Sequence, residues 1–249
     1  MSSPPGPPAP PPLPGSPPPP GLPSPPPSGA PAASRAPAFV AGAVLTAASA
    51  VLLVLVAVSW GPLVSLDRGI ADGLHRWAVG DPATTGVMRV LSDWVWDPWA
   101  MRAVIAVLFC WLLAHGERTL AVWIAVTSAV AAIVQQALKA AVGRERPVWS
   151  DPVDTAHYAA FPSGHAMTAT VTFGLLLWLL ARFTASRVAL AALLVLAAVS
   201  VLGVGFTRVY LGVHWFTDVL GGWLLGAAVA LTAAGLHARR EARRARPRP

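Results

Sequence analysis

Charged residues, cysteine and lysine are scarce in this sequence. Only 12% of the 249 residues are Asp, Glu, Lys or Arg, whereas 55% are hydrophobic. Because soluble domains carry roughly 25% charged residues, this balance excludes an ordinary soluble protein. The single cysteine, Cys110, excludes a disulfide within the chain. The single lysine, Lys139, stands in a chain rich in Arg, Ala, Val, Gly and Pro, a bias typical of a bacterial genome of high GC content.

The net charge of +7 does not indicate a nucleic-acid-binding surface. Six of the 18 basic residues are arginines in the last eleven positions. We interpret residues 238–249 as a basic tail on the cytoplasmic side of a membrane, where arginines next to membrane spans collect. No nucleic-acid partner is expected.

Proline is concentrated at the other end of the chain. Residues 1–37 hold 18 of the 26 prolines and a single charge, Arg35. This stretch has too little apolar surface to pack, so we predict a disordered or polyproline II cytoplasmic tail. A ligand for a proline-binding domain is the alternative interpretation. A signal peptide is excluded, because the charged n-region is missing and the next apolar run is too long.

Six long apolar runs predict membrane spans, since about 18 or more apolar residues are enough to cross the bilayer. Between the first two runs, residues 61–98 are amphipathic and polar, with a short interfacial helix predicted at residues 66–77. Residues 38–237 are therefore predicted to form one membrane domain, an all-α bundle of six transmembrane helices. The predicted spans are residues 39–60, 99–114, 119–141, 163–183, 188–206 and 214–236.

The distribution of basic residues predicts the orientation in the plasma membrane. With six spans both tails share one side, and that side holds ten of the 18 basic residues. Because Lys and Arg near span ends stay in the cytoplasm, both termini are predicted to be cytoplasmic. The segments 61–98, 142–162 and 207–213 are then predicted to lie together on the outer face.

Two polar motifs stand at the predicted outer ends of spans 3 and 4. In the first, Lys139 is followed seven residues later by Arg146, which precedes a proline. In the second, Ser163 is a natural N-cap, Gly164 lets the backbone approach a ligand, and His165 follows. A helix N-terminus with free N–H groups is a ready anion site.

A third motif joins Arg208 to His214 and Asp218 at the start of the last span. On a helix, residues four apart share a face, so His214 and Asp218 are predicted to touch. A carboxylate beside an imidazole fixes which ring nitrogen carries the proton. Each motif alone also fits helix caps or interfacial cations. Together, three cations, an anion-binding helix start, two histidines and a carboxylate indicate a phosphate site.

In their order, Lys-x6-Arg-Pro, Pro-Ser-Gly-His and Arg-x5-His-x3-Asp resemble the three signature motifs of the type-2 phosphatidic acid phosphatase superfamily. This superfamily includes lipid phosphate phosphatases, bacterial undecaprenyl-diphosphate and phosphatidylglycerophosphate phosphatases, and soluble vanadium haloperoxidases. The motifs cover residues 139–218, and the six-span layout extends the likeness to about residues 39–236. Thr207 stands where the third motif usually has serine, and threonine keeps the hydroxyl group.

The resemblance implies a role for each motif residue. His214 would attack phosphorus and form a phosphohistidine, and Asp218 would orient it. His165 would protonate the leaving oxygen and then activate water. The phosphoryl oxygens would be held by Lys139, Arg146, Ser163, Gly164 and Arg208. Protein cations would do the work of a metal, so neither a metal nor another cofactor is expected.

The implied function is an integral membrane phosphatase with a vanadium-haloperoxidase-like core, similar to undecaprenyl-diphosphate phosphatases. It would hydrolyse a lipid phosphate or diphosphate at the outer face of a bacterial plasma membrane, with membrane lipids as its other partners. Residues 61–98 would cover the site and guide the lipid chain. A lipid phosphotransferase using the same site is one alternative. A non-catalytic anion-binding or transport protein is another, but it leaves the paired His214 and Asp218 unexplained.

Overall fold

The computed structural model describes residues 36–245, which form helices and the segments that connect them, and none of these residues lies in a β-strand. The all-α prediction is confirmed. Most of the predicted proline-rich tail, residues 1–35, and residues 246–249 lie outside the described part. The elements are α1 (Ala36–Ala57), α2 (Gly61–Gly80), α3 (Pro82–Val90), a π-helical turn (Leu91–Val95), α4 (Pro98–Ala114), α5 (Arg118–Val142), α6 (Gly164–Phe183), α7 (Arg187–Tyr210) and α8 (Phe216–Arg244).

Six helical segments among the described residues are long and apolar enough to cross a membrane, which confirms the predicted six spans. The second differs from its prediction. It was predicted to begin at residue 99, but the apolar segment begins at residue 82. This segment contains α3, the π-helical turn and α4. The chain is a multi-pass membrane protein.

The last helix also extends further than predicted. We predicted an end near Leu236, where the apolar run stops, but α8 continues to Arg244. The arginines of this extension pack against the bundle: the Arg239 guanidinium lies 3.6 Å from the ring centre of Phe39, and that of Arg240 lies 4.7 Å from Trp123. Long cationic side chains can cover apolar surface in this way, so charge alone did not mark the end of the helix.

The predicted interfacial helix is present as α2 and is longer than the predicted residues 66–77. Its buried positions are Asp67, Ala71, His75 and Ala78, which recur every three or four residues as expected for one face of a helix. This face packs against α7 and α8. Two of its four buried residues are polar, so the helix brings a carboxylate and an imidazole to the bundle.

Close contact between α6 and α8 depends on glycine. A Cβ atom added at Gly222 would lie 2.7 Å from the carbonyl oxygen of Ser163, and one at Gly226 would lie 2.9 Å from that of Met167. Small residues let membrane helices approach at this distance. The Ser163 N–H can therefore donate to the Asp218 carbonyl at 2.9 Å, which joins the starts of the two helices.

The loop between α5 and α6 folds back over α2. The ring of Trp149 stacks on that of His75 with centroids 3.9 Å apart, and its Nε1–H donates to the Gly212 carbonyl at 2.9 Å. Arg89, in α3, donates to the Val153 carbonyl in the same loop. The predicted outer segments 61–98, 142–162 and 207–213 thus contact one another at one end of the bundle, although residues 207–210 belong to α7 and residues 82–98 to the second apolar span.

Candidate active site

The residues of the three motifs meet at this end of the bundle. Lys139 lies in the last turn of α5, Gly164 begins α6, Arg208 lies in the last turn of α7, and Asp218 lies in the first turn of α8. Helix ends are suited to this purpose, because they present side chains and free backbone groups to one point outside the apolar bundle.

His214 contacts Asp218, but the helical geometry that we predicted for the pair is wrong. His214 lies in the turn before α8, which begins only at Phe216. The Trp215 N–H donates to Asp218 Oδ2 at 2.9 Å and turns the chain back on itself. As a result His214 Nδ1 lies 3.3 Å from Asp218 Oδ2. Both side chains are buried, with exposed fractions of 2% and 0%.

The partners of His214 determine its tautomer. Its Nε2 lies 3.2 Å from Arg146 Nη1. A guanidinium can only donate, so Nε2 must be the nitrogen with the lone pair, and Nδ1 carries the proton that faces Asp218. Burial, followed by the charges of Arg146, Arg208 and Lys139, lowers the pKa of His214 well below its usual 6.5. The imidazole is therefore neutral at pH 7 and has a free nitrogen facing the cations.

Two predicted phosphate-binding groups have buried donor atoms without a partner among the described residues. These atoms are Ser163 Oγ and Arg208 Nε. Ser163 is fully buried, and Arg208 is 5% exposed. One end of the Arg208 guanidinium is held, because its Nη1 donates to Ser92 Oγ at 2.6 Å and lies 3.7 Å from Asp93 Oδ1 and 3.9 Å from Asp154 Oδ2. Since buried polar atoms nearly always have partners, these two donors are available for an oxyanion.

The other two predicted cations also position the loop over the site. Lys139 Nζ donates to the Ala159 carbonyl. Arg146 donates to three carbonyl oxygens, those of His157, Tyr158 and Val213. The two cations therefore hold residues 157–159 against the site, a role that the motifs did not predict.

His165 is the second residue of α6 and follows Ser163 and Gly164 at the site. Its side chain is 18% exposed, and its Nε2 lies 4.0 Å from Asp97 Oδ2. It is the more accessible of the two site histidines, which suits a group that exchanges protons with a ligand and with water.

Three residues that contact this site have no role predicted from the motifs. Arg144 Nη1 donates to Asp218 Oδ1 at 2.6 Å, and Arg144 Nη2 donates to Asp67 Oδ2 at 2.7 Å. Thr217 contacts both Arg144 and Asp67. The signal for Asp67 was its place on the buried face of an amphipathic helix, where a charged residue needs a partner. Arg144 is one of the six residues between Lys139 and Arg146, where the first motif does not specify the residue type.

The part of the chain that carries the site residues is similar in sequence to known proteins. Residues 120–242, which include all eight predicted site residues, match the model of the PAP2 superfamily. Phosphatidylglycerophosphatase B of Bacillus subtilis (strain 168) is 35% identical over 97 residues, 38% of this chain and 46% of that protein. A putative undecaprenyl-diphosphatase of Escherichia coli (strain K12) is 36% identical over 131 residues, 51% of this chain and 61% of that protein. The chain thus spans about half the length of these curated relatives.

A solved structure has the same fold. It is the crystal structure of a transmembrane PAP2 type phosphatidylglycerolphosphate phosphatase from Bacillus subtilis, which matches with a TM-score of 0.70. The match covers 82% of this chain and 98% of that one, at 22% sequence identity. The likeness therefore extends beyond residues 120–242 to the helices that precede them.

The lowered pKa of His214 can be tested by NMR without an assay of function. In wild-type protein with 13C-labelled histidine, the His214 signal, identified as the one that is lost in His214→Asn, should stay neutral as the pH falls well below 6.5. Arg146→Gln removes a cation that lowers the pKa of His214, so the titration should move to higher pH. Arg76→Gln, at an exposed position of α2, serves as the matched control. A His214 signal that titrates at its usual pKa in the wild type would contradict the assignment.

Proposed function

We propose, on the premise that residues 120–242 form a PAP2 superfamily domain, that this membrane protein is a phosphatase that hydrolyses a lipid phosphate or diphosphate through a phosphohistidine. The observation that carries the proposal is the pairing of a neutral nucleophile with free donors. His214 presents an unprotonated Nε2, and Ser163 Oγ and Arg208 Nε are buried donors without a protein partner. The names of the two relatives, a phosphatidylglycerophosphatase and a putative undecaprenyl-diphosphatase, support a lipid-linked substrate.

In the first step, the lone pair of His214 Nε2 attacks phosphorus in line with the leaving oxygen. The N–P bond forms as the P–O bond to the lipid or lipid phosphate breaks, and His165 gives its proton to that oxygen. Arg146 Nη1 donates to Nε2 in the free protein. When substrate binds, this donor transfers to a phosphoryl oxygen and releases the lone pair for attack.

In the second step, His165 takes a proton from water as the water oxygen attacks the phosphohistidine. The N–P bond breaks, inorganic phosphate leaves, and His214 regains its lone pair. Asp218 accepts the Nδ1–H throughout and stabilises the positive charge that develops on the imidazole. No part of this cycle requires a redox partner.

Charge stabilisation is the main contribution of the cations. Phosphoryl transfer depends on positioning and on neutralising the equatorial oxygens, which guanidinium groups do well. Arg146, Arg208 and Lys139 all act electrostatically on His214. The start of α6 adds free N–H groups next to Ser163. Loss of one such donor typically lowers the rate about 10²–10³-fold.

A groove beside the site supports a lipid substrate over a soluble phosphate ester. It lies between α4, α5 and α6 and has a volume of about 320 Å³. One of its lining residues is Gln135, whose side chain lies next to Gly164 at the start of α6. Most of the lining residues are apolar, and they include Ile105, Phe109, Met167 and Val171. An acyl or prenyl chain can follow this groove while its phosphate lies at the site.

The positions of the arginines support action at the outer face of the plasma membrane. Arg118, Arg182 and Arg187 lie at the helix ends opposite the site, as do the arginines at the end of α8. Cations in such positions mark the cytoplasmic side. The accessible pool would then be a lipid phosphate exposed outside, such as a spent prenyl diphosphate carrier.

Purified protein should release inorganic phosphate from a polyprenyl diphosphate or a diacylglycerol phosphate faster than from a short water-soluble ester. His214→Ala should lower kcat by about 10⁴-fold or more, and Asp218→Asn should lower it by about 10²–10⁴-fold in folded protein. His115→Ala, at an exposed position at the opposite end of the bundle, is the matched control. Anion binding without phosphate release would favour the transport alternative. Transfer of phosphate to an added lipid alcohol would favour the phosphotransferase.

Topology can be tested with single cysteines in a Cys110→Ala background. Ser150→Cys lies in the loop over the site, and Arg243→Cys lies near the end of α8; both positions are exposed. An impermeant thiol reagent applied to intact cells should label Ser150→Cys alone. Labelling of Arg243→Cys alone would place the site in the cytoplasm and change the substrate pool.

A further inference from the structure

A buried carboxylate outside the matched residues 120–242 is linked to His214 through two intervening residues, Arg144 and Asp218. Asp67, on α2, is 1% exposed. Its Oδ1 accepts the Thr217 N–H at 2.9 Å. Its Oδ2 accepts the Thr217 hydroxyl at 2.5 Å and Arg144 Nη2 at 2.7 Å. Three donors on two other segments thus converge on one side chain of an interfacial helix.

Arg144 joins this carboxylate to that of the catalytic pair. One edge of its guanidinium faces Asp67, while Nη1 donates to Asp218 Oδ1 at 2.6 Å. The Arg144 side chain is 15% exposed and both carboxylates are buried. Buried charges of this kind are stable only when they are paired and fully hydrogen-bonded. Here a single guanidinium is shared by two carboxylates.

Because Arg144 occupies one oxygen of Asp218, only the other oxygen is left to accept a hydrogen bond from His214. Asp218 uses Oδ1 for Arg144 and keeps Oδ2 for the Trp215 N–H and for His214 Nδ1. If Arg144 had no second carboxylate, its whole charge would act on Asp218. The negative charge available to His214 would then fall, and with it the stabilisation of the imidazolium that forms during attack. Asp67 balances Arg144 from the opposite side.

We propose that Asp67 is a positioning residue for the reaction: it holds Arg144 and the start of α8 in place and keeps the charge of Asp218 directed to His214. This inference rests on the proposed function. It also gives the interfacial helix α2 a defined task, since α2 lies outside the matched residues 120–242.

A purely structural role predicts a different result. Thr217 is the second residue of α8, so a carboxylate that accepts its N–H acts as an external cap of that helix. Asparagine keeps the shape of the side chain and one acceptor oxygen for this N–H but removes the charge. Asp67→Asn therefore separates the cap from the charge balance.

The experiment compares Asp67→Asn with Asp72→Asn, which changes an exposed aspartate of the same helix. For Asp67→Asn we expect kcat to fall by about 10- to 100-fold, the loss that is typical when the outer hydrogen-bond partners of metal-bound histidines are removed. The KM and the inhibition constant of inorganic phosphate should change less than about threefold, because no phosphate-binding donor is altered. Inhibition by vanadate, which mimics the transferring phosphoryl group, should weaken in step with kcat.

A double variant tests the route through Arg144. Since Asp67 acts by way of Arg144, the kcat of Asp67→Asn/Arg144→Gln should be no lower than that of Arg144→Gln alone. Losses that multiply would overturn the route. Asp67→Glu keeps the charge and should recover part of kcat. If Asp67→Asn does not fold, Arg144→Gln decides, because the proposal acts through Arg144: a wild-type kcat in folded Arg144→Gln would overturn the proposal.

The outcomes distinguish a failure of the proposed function from a failure of the role proposed for Asp67. Wild-type protein that releases no phosphate from any lipid phosphate overturns the proposed function and this inference with it. Active wild-type protein in which Asp67→Asn matches Asp72→Asn overturns the inference alone. A fall in kcat with unchanged phosphate inhibition, absent in Asp72→Asn, supports both.

Discussion

The site depends on one fully buried carboxylate. Asp218 accepts hydrogen bonds from the Trp215 N–H and Arg144 and faces His214, and its own carbonyl accepts the Ser163 N–H. A buried ion with fewer partners would be strongly destabilising. The turn before α8, the close approach of α6 and the interfacial helix all serve to supply those partners. Stability and the geometry of the pair therefore have the same physical origin.

Around this pair, positive charge is concentrated where the apolar bundle ends. The loop carbonyls that accept from Lys139 and Arg146, and the carboxylates near Arg208, partly compensate it. His214 stays neutral within the cluster, because burial and the same cations lower its pKa. A group that is both uncharged and surrounded by cations suits attack on a substrate that brings its own negative charge. This is why the geometry favours a phosphate or diphosphate over a neutral ligand.

Local pattern was enough to predict the spans and the meeting of the motifs. Apolar runs predicted six membrane helices, and the span count brought Lys139, Ser163 and His214 to one end. Pattern did not reveal partners that are distant in sequence. Asp67 could be assigned to the buried face of a helix only once that face was known, and its contacts with Arg144 and Thr217 are tertiary. Helix periodicity also misled for His214, because the Trp215 N–H bond turns the chain outside the helix.

The proposed mechanism depends on the transfer of phosphorus to His214. The most direct measurement is rapid mixing of wild-type protein with a lipid phosphate labelled with 32P at the scissile phosphoryl group, quenched in alkali within the first turnover. We predict a protein-bound label that is stable to alkali and labile to acid. Peptide mapping should locate this label at His214, and it should be missing in His214→Ala. Turnover with no label on the protein, or a label on another residue, would contradict it.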